Sequence, residues 1–142
     1  MGCLRILGVD ARGAVHARVW HVPLDPEPRS AAAARRFVVE CLRPLDEETE
    51  GTLKILTSEV VTNAILHART PLLLGVAQGP DRIVVCVEDR NMAAPEHQPY
   101  SGERTTGRGI VILEALADRW GIATEERGKA VWFTMRLTAG SP

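Results

Sequence analysis

Apolar positions recur along the chain in two rhythms, one of about two residues and one of helical period, and Pro- or Gly-rich stretches separate them. Residues 14–22, AVHARVWHV, alternate moderately and are rich in β-branched and aromatic side chains, which predicts a first strand ending at Pro23. PLDPEPRS reads as a connector. Ser30 stands where an N-cap would, and helix formers run from Ala31 to Leu42 until Pro44 stops them. The next stretch, LDEETEGTLKILTSEVVTNAILHA, is acidic at its start and helical in period to about His67, which predicts the longest element. Leu72–Ala77 and Arg82–Glu88 read as two strands joined at QGPD, most simply an antiparallel hairpin. Residues 91–106 are Pro-, Gly- and polar-rich without a period, a long loop of the kind that often carries function. GRGIVILEALADRWG restores helical spacing and is expected to end at Gly121, after which IATEE and KAVWFTMRL read as closing strands around the turn RGK.

Composition adds bounds. At 142 residues, 45% hydrophobic and 25% charged, the chain is expected to form a single domain, with residues 1–13 lacking a clear pattern and residues 138–142 frayed. A formal net charge of −1 gives no broad attraction to nucleic acid or to an anionic membrane, so neither is expected as a direct partner. Cys3, Cys41 and Cys86 form an odd set without CxxC spacing, which predicts reduced thiols and a cytoplasmic setting. His16, His21, His67 and His97 lack the spacing of a zinc site, and no apolar run approaches the length of a membrane span.

The chemistry centres on TSEVVTNAILHA, residues 57–68. At about 100° per residue, Glu59 and Asn63 fall within one arc with Leu53, Ile55, Leu56, Val60, Ala64 and Leu66, while Lys54 and Ser58 fall outside it. The pair is about 40° apart and one turn distant, so both side chains can reach one ligand. An amide left unpartnered among apolar groups costs roughly 1–3 kcal/mol, and an unpaired carboxylate more. Either a buried polar network or a solvent boundary compensates, or the helix roofs a nucleotide pocket. In the second case the Asn63 oxygen suits Mg²⁺, and Glu59 is placed to deprotonate an attacking hydroxyl.

Two further features bear on that choice. IVVCVEDRN brings Asp89 to the end of an apolar strand, where it either starts a turn or accepts a hydrogen bond from an exocyclic amine such as that of adenine. TTGRGIVILEALADRW sets Gly107 and Gly109 at a helix threshold, with Arg108 between them and Ile110 following. This is a plain helix start or an anion site, since free N–H groups and the positive dipole end favour phosphate there. The spacing is neither a Walker A loop nor a dinucleotide fingerprint.

Taken in chain order, SEVVTNAILHA, Asp89 and GRGIVILEALADRWG resemble the N box, G1 box and G2 box of the histidine-kinase-like (GHKL) ATPases. The first matches the E-x-x-x-N-A-x-x-H-[AG] form of stand-alone anti-sigma-factor serine/threonine kinases, and the last, with GKAVWF, resembles small ATP-binding regulators abundant in actinobacteria. The resemblance covers residues 25–137. It implies an α/β (α+β) fold, a two-layer α/β sandwich in which a mixed, mostly antiparallel sheet carries helices on one face and ATP sits between the second helix and the long loop. It further implies Glu59 as catalytic base, Asn63 as Mg²⁺ ligand, Asp89 as adenine contact, and Gly107, Arg108, Gly109 and Ile110 as the phosphate-facing segment. His67 is expected to pack near the pocket and Lys129 to lie in the turn before the last strand. The implied partners are a sigma factor and an anti-sigma antagonist, and pairing between copies is common in the family. One departure stands out: the full G1 box is D-x-G-x-G, whereas Asp89 is followed by Arg90, Asn91, Met92 and Ala93. A non-catalytic nucleotide-binding interaction module is therefore the alternative expectation.

Overall fold

The computed structural model describes residues 18–68, 70–89, 107–125 and 128–137. In chain order these form β1 (Arg18–Leu24), α1 (Ser30–Leu42), α2 (Glu47–Ala68), β2 (Leu72–Gln78), β3 (Arg82–Asp89), α3 (Gly107–Leu116), β4 (Arg119–Glu125) and β5 (Gly128–Arg136). The strands make one sheet in the order β1-β2-β3-β5-β4, and all four pairings are antiparallel. The expected two-layer α+β architecture is present, with antiparallel neighbours throughout the described sheet.

Strand alternation decides which face is covered. Leu72, Leu74 and Val76 of β2, Ile83, Val85 and Val87 of β3, and Val131, Phe133 and Met135 of β5 join one buried cluster. Val38 and Leu42 of α1, Leu53, Leu56, Val60 and Val61 of α2, and Leu113 of α3 complete it from the helical side. Phe133 is fully buried at its centre. On the opposite face Cys86 and Ala130 pack with Ala123 and Trp132, and Trp132 lies so close over Gly121 that a Cβ there would stand 2.7 Å from its Cζ2.

Five local expectations need correction. Ser30 is the first residue of α1 rather than its cap: the position before the helix is Arg29, with no side-chain cap bond, and Ser30 Oγ donates to the Asp25 carbonyl at 2.7 Å. Pro23 lies inside β1, whose register continues to the Leu24–Leu72 pair; at an edge strand the missing N–H costs no ladder bond. α3 stops at Leu116 instead of continuing to Gly121, because Asp118 N–H donates to the Thr134 carbonyl at 2.9 Å and draws the following residues into β4. Trp120, read as helical, instead sits in the strand, with Nε1 donating to Glu114 Oε2 at 2.8 Å. Finally, Cys86 is disulfide-bonded rather than reduced, while Cys41 is free.

Among the described residues no helix is long and apolar enough to cross a membrane.

Candidate functional site

Chain connectivity places Asn63 and Asp89 toward one end of the sheet. α2 ends at Ala68 and β2 begins at Leu72, a step of four residues that spans at most about 14 Å. Leu72 is directly paired with Asp89, the last residue of β3. Asn63 lies five residues before the end of α2, about 7.5 Å along its axis. The C-terminal half of α2 and the end of β3 therefore lie toward the same end of the sheet. Asp89 shares the strand parity of Ile83, Val85 and Val87, so it belongs to the helix-covered face.

Along α2 each four-residue step turns the side chain by about 40°. Ile55 is 48% exposed, Glu59 is half-buried, and Asn63 is 4% exposed. The row Ile55–Glu59–Asn63 thus winds from solvent into the core, with His67, half-buried, one turn further. This corrects the predicted arc at one edge: Ile55 and Leu66, the latter 59% exposed, do not pack, and Glu59 marks the boundary. Asn63 sits beyond it, between the buried Val60, Val61 and Ala64. Its side chain makes no hydrogen bond to any described residue.

Asp89 is held from β5. It is 9% exposed, and its Oδ1 accepts the Lys129 backbone N–H at 3.2 Å. Gly128, at φ 148°, brings its backbone directly against Asp89, and a Cβ there would lie 2.8 Å from Asp89 Oδ1. That φ belongs to the region glycine alone visits readily. Lys129 consequently contributes its main chain within β5, rather than acting from the turn where the sequence put it. The part played by Gly128 was not apparent beforehand: the RGK stretch signalled a turn, and nothing local tied it to a carboxylate almost forty residues earlier.

α3 begins at Gly107, so Gly107, Arg108, Gly109 and Ile110 form its first turn, where backbone N–H groups lack intrahelical acceptors. Gly109 is buried and Ile110 half-buried, and α3 packs against α2. The Arg108 side chain and the loop of residues 91–106 lie outside the described residues.

The donor set fits a Mg²⁺-bound nucleotide. Asn63, a buried residue whose neutral amide makes no hydrogen bond to a described residue, offers an oxygen to a hard cation, and Mg²⁺ commonly takes one or two protein ligands with phosphate and water completing its shell. Asp89 presents a carboxylate pre-set by a backbone donor, suited to an amine. The first turn of α3 supplies donors for an anion.

A family model described as the histidine kinase-like ATPase domain matches residues 24–135. A search of curated proteins found no match. The matched span runs from the last residue of β1 almost to the end of β5 and takes in Glu59, Asn63, Asp89, Gly107–Ile110 and Gly128. With that match over most of its length, and three helices on an antiparallel sheet among the described residues, the chain belongs to the histidine kinase-like ATPase family, whose members carry an ATP-binding domain.

Proposed function

We propose that this chain is an ATP- and Mg²⁺-dependent serine/threonine kinase that phosphorylates a small antagonist protein and, in an alternative complex, sequesters a sigma factor. The observation that carries the nucleotide part is Asn63: an amide 4% exposed, set in the core of α2 and making no hydrogen bond to a described residue. A side-chain amide that makes no hydrogen bond to a described residue leaves its oxygen available to a hard cation, which Mg²⁺ with phosphate and water would use as one of its few protein ligands. The N-box spacing of Glu59 and Asn63 supports the kinase part.

Bound ATP supplies the phosphoryl group. Asn63 would hold the cation through its side-chain oxygen, and Asp89 would accept a hydrogen bond from the adenine amine while the Lys129 N–H keeps its carboxylate in place. The first turn of α3 would turn its backbone N–H groups and the positive end of the helix dipole toward the phosphates. Glu59, half-buried at the solvent boundary, takes the proton of an incoming serine or threonine hydroxyl. Its position on the wheel suits that task, because the acceptor must enter from solvent while the cation stays inside.

A second reading, a nucleotide-binding interaction module without turnover, is favoured by the residues after Asp89, which lack the glycines of a full G1 box. Calorimetric titration of ATP with and without Mg²⁺, followed by assay of ADP release and of transfer to candidate antagonist proteins, separates the two. The kinase reading expects Mg²⁺-dependent binding and transfer that Glu59→Gln abolishes. Binding without consumption supports the module, and transfer unchanged in Glu59→Ala removes Glu59 as the base.

A further inference from the structure

A concave feature lies between α1 and α2, away from the residues assigned to nucleotide. It is a cavity of about 280 Å³, and Lys54, on its α2 side, is nine residues from Asn63. Nine residues amount to about 13 Å along the helix and half a turn around it, so this groove and Asn63 occupy opposite flanks of α2. The floor is apolar, made by Ala32 and the buried Val39.

Four cations line it, Arg35, Arg36, Arg43 and Lys54, against two carboxylates, Glu40 and Glu50. The excess of positive charge is local, because the chain as a whole carries −1. Two of the cations are occupied. Arg35 Nη1 donates to Ser58 Oγ at 2.6 Å, tying α1 to α2, and Lys54 Nζ pairs with Glu50 Oε2 at 3.1 Å. Arg36 and Arg43 are exposed and make no ion pair or hydrogen bond to a described residue.

We propose that this groove docks an acidic, partly apolar segment of a protein partner, with its carboxylates on Arg36 and Arg43 and an aliphatic side chain on the Ala32–Val39 floor. Guanidinium forks match carboxylates in bidentate geometry, and arginine sheds water more readily than lysine on burial. Glu40 and Glu50 argue against a nucleic acid occupant, whose phosphates repeat at every nucleotide and would be driven against those rims. A protein segment can place its charges on the arginines alone. The floor selects for an apolar side chain between them, which a phosphate backbone lacks.

The test uses the full chain without nucleotide, so its outcome is independent of the Asn63 site. A fluorescein-labelled peptide of about twelve residues alternating glutamate and leucine is titrated by fluorescence polarisation, beside a labelled oligothymidylate of equal length. The peptide is expected to bind more tightly than the oligonucleotide. Arg36→Glu with Arg43→Glu is expected to weaken it at least about tenfold, as is raising salt from about 0.05 to about 0.5 M. Should the charge-reversed chain misfold by circular dichroism, Arg36→Gln with Arg43→Gln is measured in its place, with a several-fold loss expected. Absence of peptide binding, equal affinity in the variant that folds, or preference for the oligonucleotide overturns the proposal.

Discussion

Gly128 and Asp89 meet backbone to backbone, closely enough that a side chain on Gly128 would strike both the carbonyl oxygen and the carboxylate of Asp89. Alanine at 128 would combine a collision against main chain with a φ of 148° that L-residues rarely adopt. The expected cost is about 3 kcal/mol, a drop in melting temperature of roughly 10 °C for a chain of this size. Gly51 provides the contrast, since a Cβ there, in the second turn of α2, meets nothing within 4 Å. Gly51→Ala is expected to raise stability by about 0.5–1 kcal/mol through helix propensity. Thermal melts of the two variants check both, and a Gly128→Ala chain as stable as its parent would show that β5 does not hold Asp89 as described.

Asn63 makes a sharper case, because its removal should separate folding from binding. With no described partner to orphan, Asn63→Ala is expected to change the unliganded chain by less than about 1 kcal/mol, the gain in helix propensity offsetting the lost packing. Added ATP and Mg²⁺ at about 100 times Kd should stabilise the parent by about 2.7 kcal/mol. The variant should lose most of that increment, and the part that depends on Mg²⁺ should vanish. Melting curves with ATP alone and with ATP plus Mg²⁺ read the difference directly, and a full Mg²⁺-dependent shift in the variant would remove Asn63 as the ligand.

How far the sequence carried this reading depends on how local each signal is. α2, the β2–β3 hairpin and the glycine start of α3 were legible because each rests on periodicity or on a turn residue acting over a few positions. The end of α3 was not, since the ALADRWG stretch keeps helical spacing and only the bond from Asp118 to Thr134, across to β5, decides against it. The wheel brought Asn63 and Glu59 to one face, yet it could not show which edge of the apolar arc packs. Ile55 and Leu66 look like core residues by composition and stand exposed. Gly128 was the least visible, as its requirement comes from Asp89 through strand pairing rather than from its neighbours in sequence.

Thr57 yields a prediction against the usual direction of core mutations. It is fully buried in α2, and its Oγ1 has no hydrogen-bond partner. An enclosed hydroxyl left unpaired costs on the order of 1 kcal/mol or more, while valine has nearly the same shape and helix propensity. Thr57→Val is therefore expected to stabilise the chain by about 1 kcal/mol in denaturant melts. Thr57→Ala, which removes a methyl as well, should show no such gain. A loss of more than about 1 kcal/mol in the valine variant would mean that the hydroxyl is satisfied in solution.

Asp46 links stability to pH through the start of α2. Its Oδ1 accepts the Thr49 backbone N–H at 2.6 Å, three residues on, in the manner of an N-cap. That bond, first from the Thr49 backbone and then from its side chain, holds the Asp46 carboxyl below its ordinary range. A depressed folded value means that the ionised cap contributes fully above the unfolded value of about 3.9 and loses its contribution as pH falls through the lower folded one. The stability gap between the parent and Asp46→Ala should accordingly be widest at neutral pH and narrow steadily below about pH 4. Asp46→Asn, which keeps an acceptor without the charge, should lack this acid-sensitive component. Denaturant melts of the three chains at a series of pH values measure it, and a gap that stays constant from neutral pH down to about pH 2 would show that the carboxylate form of the cap is not what stabilises the helix start.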